Sequence, residues 1–272
     1  MLNKFLFQFI TFLCLFFGTW FLLSKIDFTG KVNFKKISKS NEQKLGNSVV
    51  DYLKKTNRTV YSDSAINIVN RIKDRICTSN HLDTSNIKIY IFYNEDINAY
   101  TLPGNIIVIY TGIIKFCKNP EELSSVIAHE IGHVEHRHII KKLSKEIGIS
   151  MLATLAGGNS SGEIIREVVQ IISSTAFDRA MEREADSSAV RYMAKANIDP
   201  VHFADLLFRL SKKSDVPKNF EWVSTHPNTK ERTAEILNLR KKAKYKIVPL
   251  MPDSTWEYLE KEIKEERYKS EN

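Results

Sequence analysis

Residues 119 to 138 read NPEELSSVIAHEIGHVEHRH, and no other stretch constrains the fold as strongly. Asn119 can cap a helix, Pro120 suits the first helical position, and Glu122 follows the cap by three residues. A helix is predicted from here to about Gly148. On it His129 and His133 lie four residues apart and project from one face, close enough for both imidazoles to reach one cation, with Glu130 beside them. Either this is a solvated helix face rich in imidazole or it is the floor of a metal site, and the spacing favours the second. The pattern is HExxH, in which two histidines bind zinc and the glutamate polarises the water on the metal. His136 falls near the same face but a turn further along the axis, so His136 and His138 are read as polar residues at the rim.

A catalytic zinc site takes three protein ligands and leaves a fourth position to water. The extended pattern HExxHxxGxxH would need Gly at 136 and His at 139, where the chain has His136 and Ile139. A glutamate some twenty residues on would fall near Leu152 and Ala153. Neither class fits. The remaining source is MEREAD, residues 181 to 186. Glu182 and Asp186 are four apart on one helix face, which suits a ligand carboxylate and a carboxylate that orients a ligating histidine. Glu182 is therefore assigned to the metal and Asp186 to its support. Glu184 points away, toward solvent or toward Arg179 or Arg183. The plain alternative for these charges is a salt-bridged helix surface.

Helical patterning recurs over 62–77, where Ala65, Ile68, Val69, Ile72 and Ile76 form one stripe, over 162–175 and 177–196, and after Pro200 and Pro227. Two β-branched and aromatic runs, IKIYIFY (87–93) and NIIVIY (105–110), read as paired strands around a Pro103-Gly104 turn. Few strands among many helices predict an α+β domain dominated by helices. The three cysteines, Cys14, Cys77 and Cys117, include no CxxC, so neither a disulfide framework nor a cysteine metal site is indicated. The net charge of +8 carries no arginine-rich or Lys/aromatic pattern, so nucleic acid is not expected as a partner and the excess reads as a basic surface open to anionic lipid.

Phe5 to Leu23 is a run of 19 residues without a charge, long enough to cross a bilayer as a helix. No A-x-A-like cleavage site follows it, and an uncleaved anchor is favoured over a removed signal. Lys4 precedes the run, whereas Lys25, Lys31, Lys35, Lys36 and Lys39 follow it, so charge bias alone would keep the rest of the chain in the cytoplasm.

Four stretches in one order, NAYTLPGNIIVIYTGII (98–114), HEIGH (129–133), EREAD (182–186) and THPNTKER (225–232), resemble the zinc metallopeptidases of the HtpX and CAAX prenyl protease family, peptidase family forty-eight. Within it the chain looks most like the single-domain bacterial periplasmic type and its mitochondrial inner-membrane relative. The resemblance covers about half the chain, Asn98 to Arg232. It implies a zincin-like domain with a small β-sheet, one Zn(2+) per chain on His129, His133 and Glu182, and Asp186 in support. It implies that the strand after Leu102-Pro103-Gly104 is an active-site edge strand, with Asn98, Ile106, Ile107 and Val108 binding an extended polypeptide through main-chain hydrogen bonds. It also places His226 and Arg232 near the metal: His226 would stabilise an oxyanion or gate the open position, and Arg232 would brace the site.

The implied organisation is a signal or anchor over 1–24, a basic juxtamembrane segment over 25–60, a peptidase domain over 61–242 and a charged helical tail, solvated, over 243–272. The implied activity is endopeptidase cleavage of unfolded or misassembled membrane and envelope proteins, on the extracytoplasmic side despite the charge bias. A zinc-stabilised chaperone or assembly factor with a latent site is the alternative. The family often has Asn-Ala-Phe-Ala-Leu-Pro-Gly-Gly where this chain has Asn98-Ala99-Tyr100-Thr101-Leu102-Pro103-Gly104-Asn105, a change that bears on the edge strand and not on the metal.

Overall fold

The computed structural model describes residues 2–24, 38–156, 161–213, 221–243 and 245–271, in two units, Met1–Lys36 and Ile37–Asn272. In the first unit the charge-free run is one helix, α1 (Leu2–Ser24). Among the described residues no helix is long and apolar enough to cross a membrane. Part of the expected span, including the side chains of 20–24, lies outside them, as does most of the basic stretch after it, 25–37.

The second unit opens with α2 (Lys39–Thr56), capped by the Ser38 hydroxyl on the Asn41 N–H, and it buries a stripe of Leu45, Val49, Val50 and Leu53. A two-residue strand, β1 (Arg58–Thr59), leads to α3 (Asp63–Ser79), which Ser62 caps and which buries the stripe read from its periodicity. Strands β2 (Lys88–Tyr93), β3 (Ala99–Leu102) and β4 (Ile106–Tyr110) complete a four-stranded sheet of order β1-β2-β4-β3. β2 and β4 pair in parallel, Lys88 opposite Ile106, while β3 and β4 form a hairpin with Leu102 opposite Ile106. Gly104 and Asn105 close that hairpin with φ of 76° and 58°, the left-handed region in which glycine and asparagine are least strained.

This order corrects the expected edge. The strand after Leu102-Pro103-Gly104 is β4, an interior strand bonded on both sides, and Ile106, Ile107 and Val108 are fully buried. A continuous β-branched run wants apolar neighbours on both faces, which only a central strand provides. The edge is β3, entered from the buried Asn98.

From Thr111 the chain is helical: α4 (Thr111–Phe116), α5 (Pro120–Glu135), α6 (His138–Ile147), α7 (Ile149–Ala156), α8 (Gly162–Ser174), α9 (Arg179–Lys195), α10 (Val201–Lys213), α11 (Glu221–Thr225), α12 (Thr229–Lys242) and α13 (Asp253–Glu271). The single helix expected over 119–148 is two. Arg137 takes a left-handed φ of 53°, which ends α5 and restarts the chain as α6, and its guanidinium bonds Glu42 of α2. The fold is α+β and mainly helical, with a core running from α3 and the sheet through α5 and α9 to α10. The charged end of the chain is helical but not solvated all round. Trp256, Leu259 and Ile263 bury one side of α13 in that core, and Ser62 donates to Glu262 at 3.1 Å.

Candidate metal centre and catalytic site

The Asn119 side chain accepts the Glu122 N–H at 2.9 Å, so α5 begins where its capping residues place it and carries His129, Glu130 and His133 inward, each fully buried. α9 crosses it at very short range. A Cβ on Gly132 would stand 3.0 Å from the Ala185 backbone, so only glycine fits the crossing without displacement. That contact brings Glu182 to the histidines. The two Nε2 atoms are 3.0 Å apart, with Glu182 Oε2 3.7 Å from His129 Nε2 and Glu182 Oε1 3.4 Å from His133 Nε2. His226 joins the cluster from the turn after α11, its Nδ1 2.9 Å from Glu182 Oε1 and 3.2 Å from His129 Nε2. Its Nε2 is 3.6 Å from Glu130 Oε1.

Behind the cluster, Asp186 Oδ1 lies 3.0 Å from His129 Nδ1. Arg232, buried on α12, donates to both oxygens of Asp186 at 2.8 and 2.7 Å and sets Nη1 2.6 Å from Glu182 Oε2. Burial by itself would raise both carboxyls. The Arg232 guanidinium reverses this, aided by the surrounding imidazoles, and holds Glu182 well below and Asp186 below the usual carboxylate range. Burial also drives His133 far below an ordinary histidine, so its ring is neutral. The arrangement thus holds charged carboxylates against the neutral His133 ring in a buried interior.

The facing groups favour one assignment of the ring protons. His129 turns Nδ1 to a carboxylate, and His133 turns Nδ1 to His138 Nδ1 at 2.9 Å. With the proton on Nδ1, each ring presents the Nε2 lone pair to the other and to Glu182. The two imidazole nitrogens, 3.0 Å apart, and the two Glu182 oxygens, 3.7 Å from the first and 3.4 Å from the second, gather lone pairs that a cation among them would draw together, and His226 Nδ1 can donate into the same cluster. The donor set, two imidazoles and a carboxylate, is one that divalent metals accept, and the residues present fit such an ion.

Two residues near the cluster sit differently from expectation, and three more were not singled out in the sequence. His138, expected at the rim, is fully buried, and its Nε2 is 3.0 Å from Glu184 Oε2, so Glu184 turns to a histidine and not to Arg179 or Arg183. His136 does stay half-exposed, 2.9 Å from the Ser188 hydroxyl. Thr101 on β3 donates to Glu130 Oε2 at 2.8 Å and so ties the sheet edge to the candidate base. Phe177 and Trp222 wall the centre, the Phe177 ring 4.1 Å from that of His133 and the Trp222 ring 4.8 Å from that of His226.

The profile of Peptidase family M48 matches residues 66–240, most of the chain and every residue of this cluster. The chain belongs to peptidase family M48. Its M48 relatives include the mitochondrial metalloendopeptidase OMA1 of Schizosaccharomyces pombe, 28% identical over 62% of this chain and 51% of the relative. The beta-barrel assembly-enhancing protease of Yersinia pestis is 25% identical over 74% of this chain and 44% of the relative. OMA1 of Arabidopsis thaliana is 26% identical over 57% of this chain and 32% of the relative. The matched region spans about half the length of these relatives or less. M48 membership, with relatives named metalloendopeptidase and protease, supports a metalloprotease, and the His129, His133 and Glu182 cluster supplies the metal-binding group that such an activity needs.

Proposed function

We propose that the chain is a zinc-dependent metalloendopeptidase that hydrolyses peptide bonds in unfolded or misassembled membrane and envelope proteins, with one Zn(2+) per chain on His129, His133 and Glu182. The observation that carries this reading is the convergence of His129 Nε2, His133 Nε2 and the Glu182 carboxylate in one buried place. Ligands about 2.0–2.2 Å from a tetrahedral zinc stand about 3.3–3.6 Å from one another; the two imidazole nitrogens are 3.0 Å apart, with Glu182 Oε2 3.7 Å from His129 Nε2 and Glu182 Oε1 3.4 Å from His133 Nε2.

Zinc bound there would polarise the scissile carbonyl and acidify the attacking water. Glu130 would take the proton from that water and return it to the leaving amine, with Thr101 donating to its Oε2. Asp186 keeps the proton of His129 on Nδ1, and Arg232 keeps Asp186 and Glu182 charged. His226 turns Nε2 toward Glu130, and with a proton on that nitrogen it would donate to the developing oxyanion. An extended substrate would add to β3, the edge strand next to Glu130, through main-chain hydrogen bonds. The apolar helix α1 would attach the chain to a membrane, with the peptidase domain on its extracytoplasmic side.

The test is zinc content measured together with cleavage of casein. Glu130→Gln is expected to keep one zinc per chain and to lose cleavage by about a hundredfold or more, the scale of a missing general base. Full cleavage by that variant would remove Glu130 from the mechanism.

A second reading, a zinc-stabilised chaperone or assembly factor with a latent site, draws on His226, which sits within 3.2 Å of both Glu182 Oε1 and His129 Nε2 and can fill a ligand position itself. His226→Ala separates the two. A rise in cleavage on this change supports latency, and a fall supports the oxyanion role.

A further inference from the structure

Outside the catalytic cluster, His136, His138 and Glu184 also hold potential metal-ligand atoms within 4.8 Å of one another. Hydrogen bonds satisfy this second group without an ion. Its facing atoms have protons to share, His138 Nε2 with Glu184 Oε2 at 3.0 Å and His136 Nε2 with the Ser188 hydroxyl at 2.9 Å. Lys141, Arg183 and Arg191 line the same depression and oppose a cation there.

The group faces inward as well. His138 Nδ1 lies 2.9 Å from His133 Nδ1, five residues back along the chain. A regular helix would carry residue 138 past His133. The left-handed turn at Arg137 folds it back instead, and the ring is then fixed without exposure, its plane within 16° of that of His136. One proton arrangement satisfies all three partners. Glu184 accepts from His138 Nε2–H, His138 Nδ1 accepts from His133 Nδ1–H, and the His133 Nε2 lone pair is left for the metal.

We propose that His138 and Glu184 are a positioning relay for His133, holding its tautomer and ring angle and thereby governing how tightly the metal is retained. This rests on the metallopeptidase reading. Neither residue touches substrate or the reacting atoms. Glu184 is the solvent-facing end of the chain, its side chain 53% exposed, while His138 is its buried middle.

The experiment uses the full-length protein. Zinc affinity is measured by competition with a chromophoric chelator, the visible spectrum of the cobalt(II)-substituted protein reports ligand geometry, and thermal unfolding of the metal-free form reports folding. His138→Phe keeps a ring and removes the acceptor. It is expected to weaken zinc binding about 10- to 100-fold and to alter the cobalt spectrum. His138→Asn, whose carbonyl can accept the same N–H, is expected to recover much of both. Glu184→Ala should give a smaller loss in the same direction. A folded His138→Phe protein with wild-type affinity and spectrum overturns the relay, as does His138→Asn behaving no better than His138→Phe. If His138→Phe does not fold, Glu184→Ala decides on the surface, and an unchanged affinity and spectrum there overturns the relay. Wild-type protein that takes up no zinc refutes the site reading itself and the relay with it.

Discussion

His129 and His133 sit one turn apart on α5 and face the same point, yet they are held by opposite means. His129 leans on Asp186, a buried carboxylate clamped by both arms of the buried Arg232. His133 leans on His138, a neutral ring whose far nitrogen ends on a half-exposed Glu184. On the first side the charges exist only as a set, because removing one member of a buried ion cluster strands the others. On the second side no net charge is buried, so its parts can be exchanged at lower cost. One ligand has a foundation and the other has an adjustment.

The comparison breaks first at Arg232. Arg232→Leu leaves Glu182 and Asp186 as neighbouring buried carboxylates without their counter-ion, and a loss of about 3–5 kcal/mol is expected by urea unfolding. A loss below about 1 kcal/mol would mean that the charged side is no foundation. Next is the helix crossing that both sides share. Gly132→Val places methyl groups against the Ala185 backbone and should cost about 1–3 kcal/mol through overpacking, with weaker zinc uptake measured in parallel.

Acid separates the two sides of the metal-free protein. Burial lowers His138 from an ordinary 6.5 to about 4, so the unfolded chain binds the extra proton between those values. The contribution of that neutral ring is complete above pH 6.5 and is lost as pH falls toward 4. Glu182 and Asp186 are held below their ordinary 4.5 and 3.8, so their contribution survives that range and is lost only at lower pH. Urea stability measured at pH 7, 5.5 and 4.5 should therefore decline, His133 contributing in the same sense, and His138→Phe should make the decline shallower without removing it. The smallest effect lies at the sheet. Thr101→Val removes the hydroxyl donated to Glu130, a hydrogen bond of about 0.5–1.5 kcal/mol. It should lower kcat by about tenfold with zinc content unchanged.

What the sequence made legible follows from the range of the forces involved. The start of α5 and the alignment of His129 with His133 depend on neighbours within a few residues, and Asn119, Pro120 and Glu122 write them out directly. Glu182 and Asp186 were also legible, because a spacing of four fixes their common face. Glu184 was not. Its backbone does turn away, but a long side chain can bend to a partner, and that partner, His138, arrived only through the unusual φ of Arg137. Sheet order was hidden for a different reason. Both IKIYIFY and NIIVIY announce strands, but nothing local says that they pair in parallel with β3 outermost. In α13 the 3–4 spacing of Trp256, Leu259 and Ile263 was present in the sequence, and the surrounding charges obscured it.

The tight crossing of α5 over α9 has a further consequence. Two backbones in contact at Gly132 and Ala185 cannot approach further, and every separation costs packing along both helices. That limit sets how far apart the helices carrying His129, His133 and Glu182 can lie, so the reach between the two sides of the cluster is decided by backbone contact and not by the side chains alone.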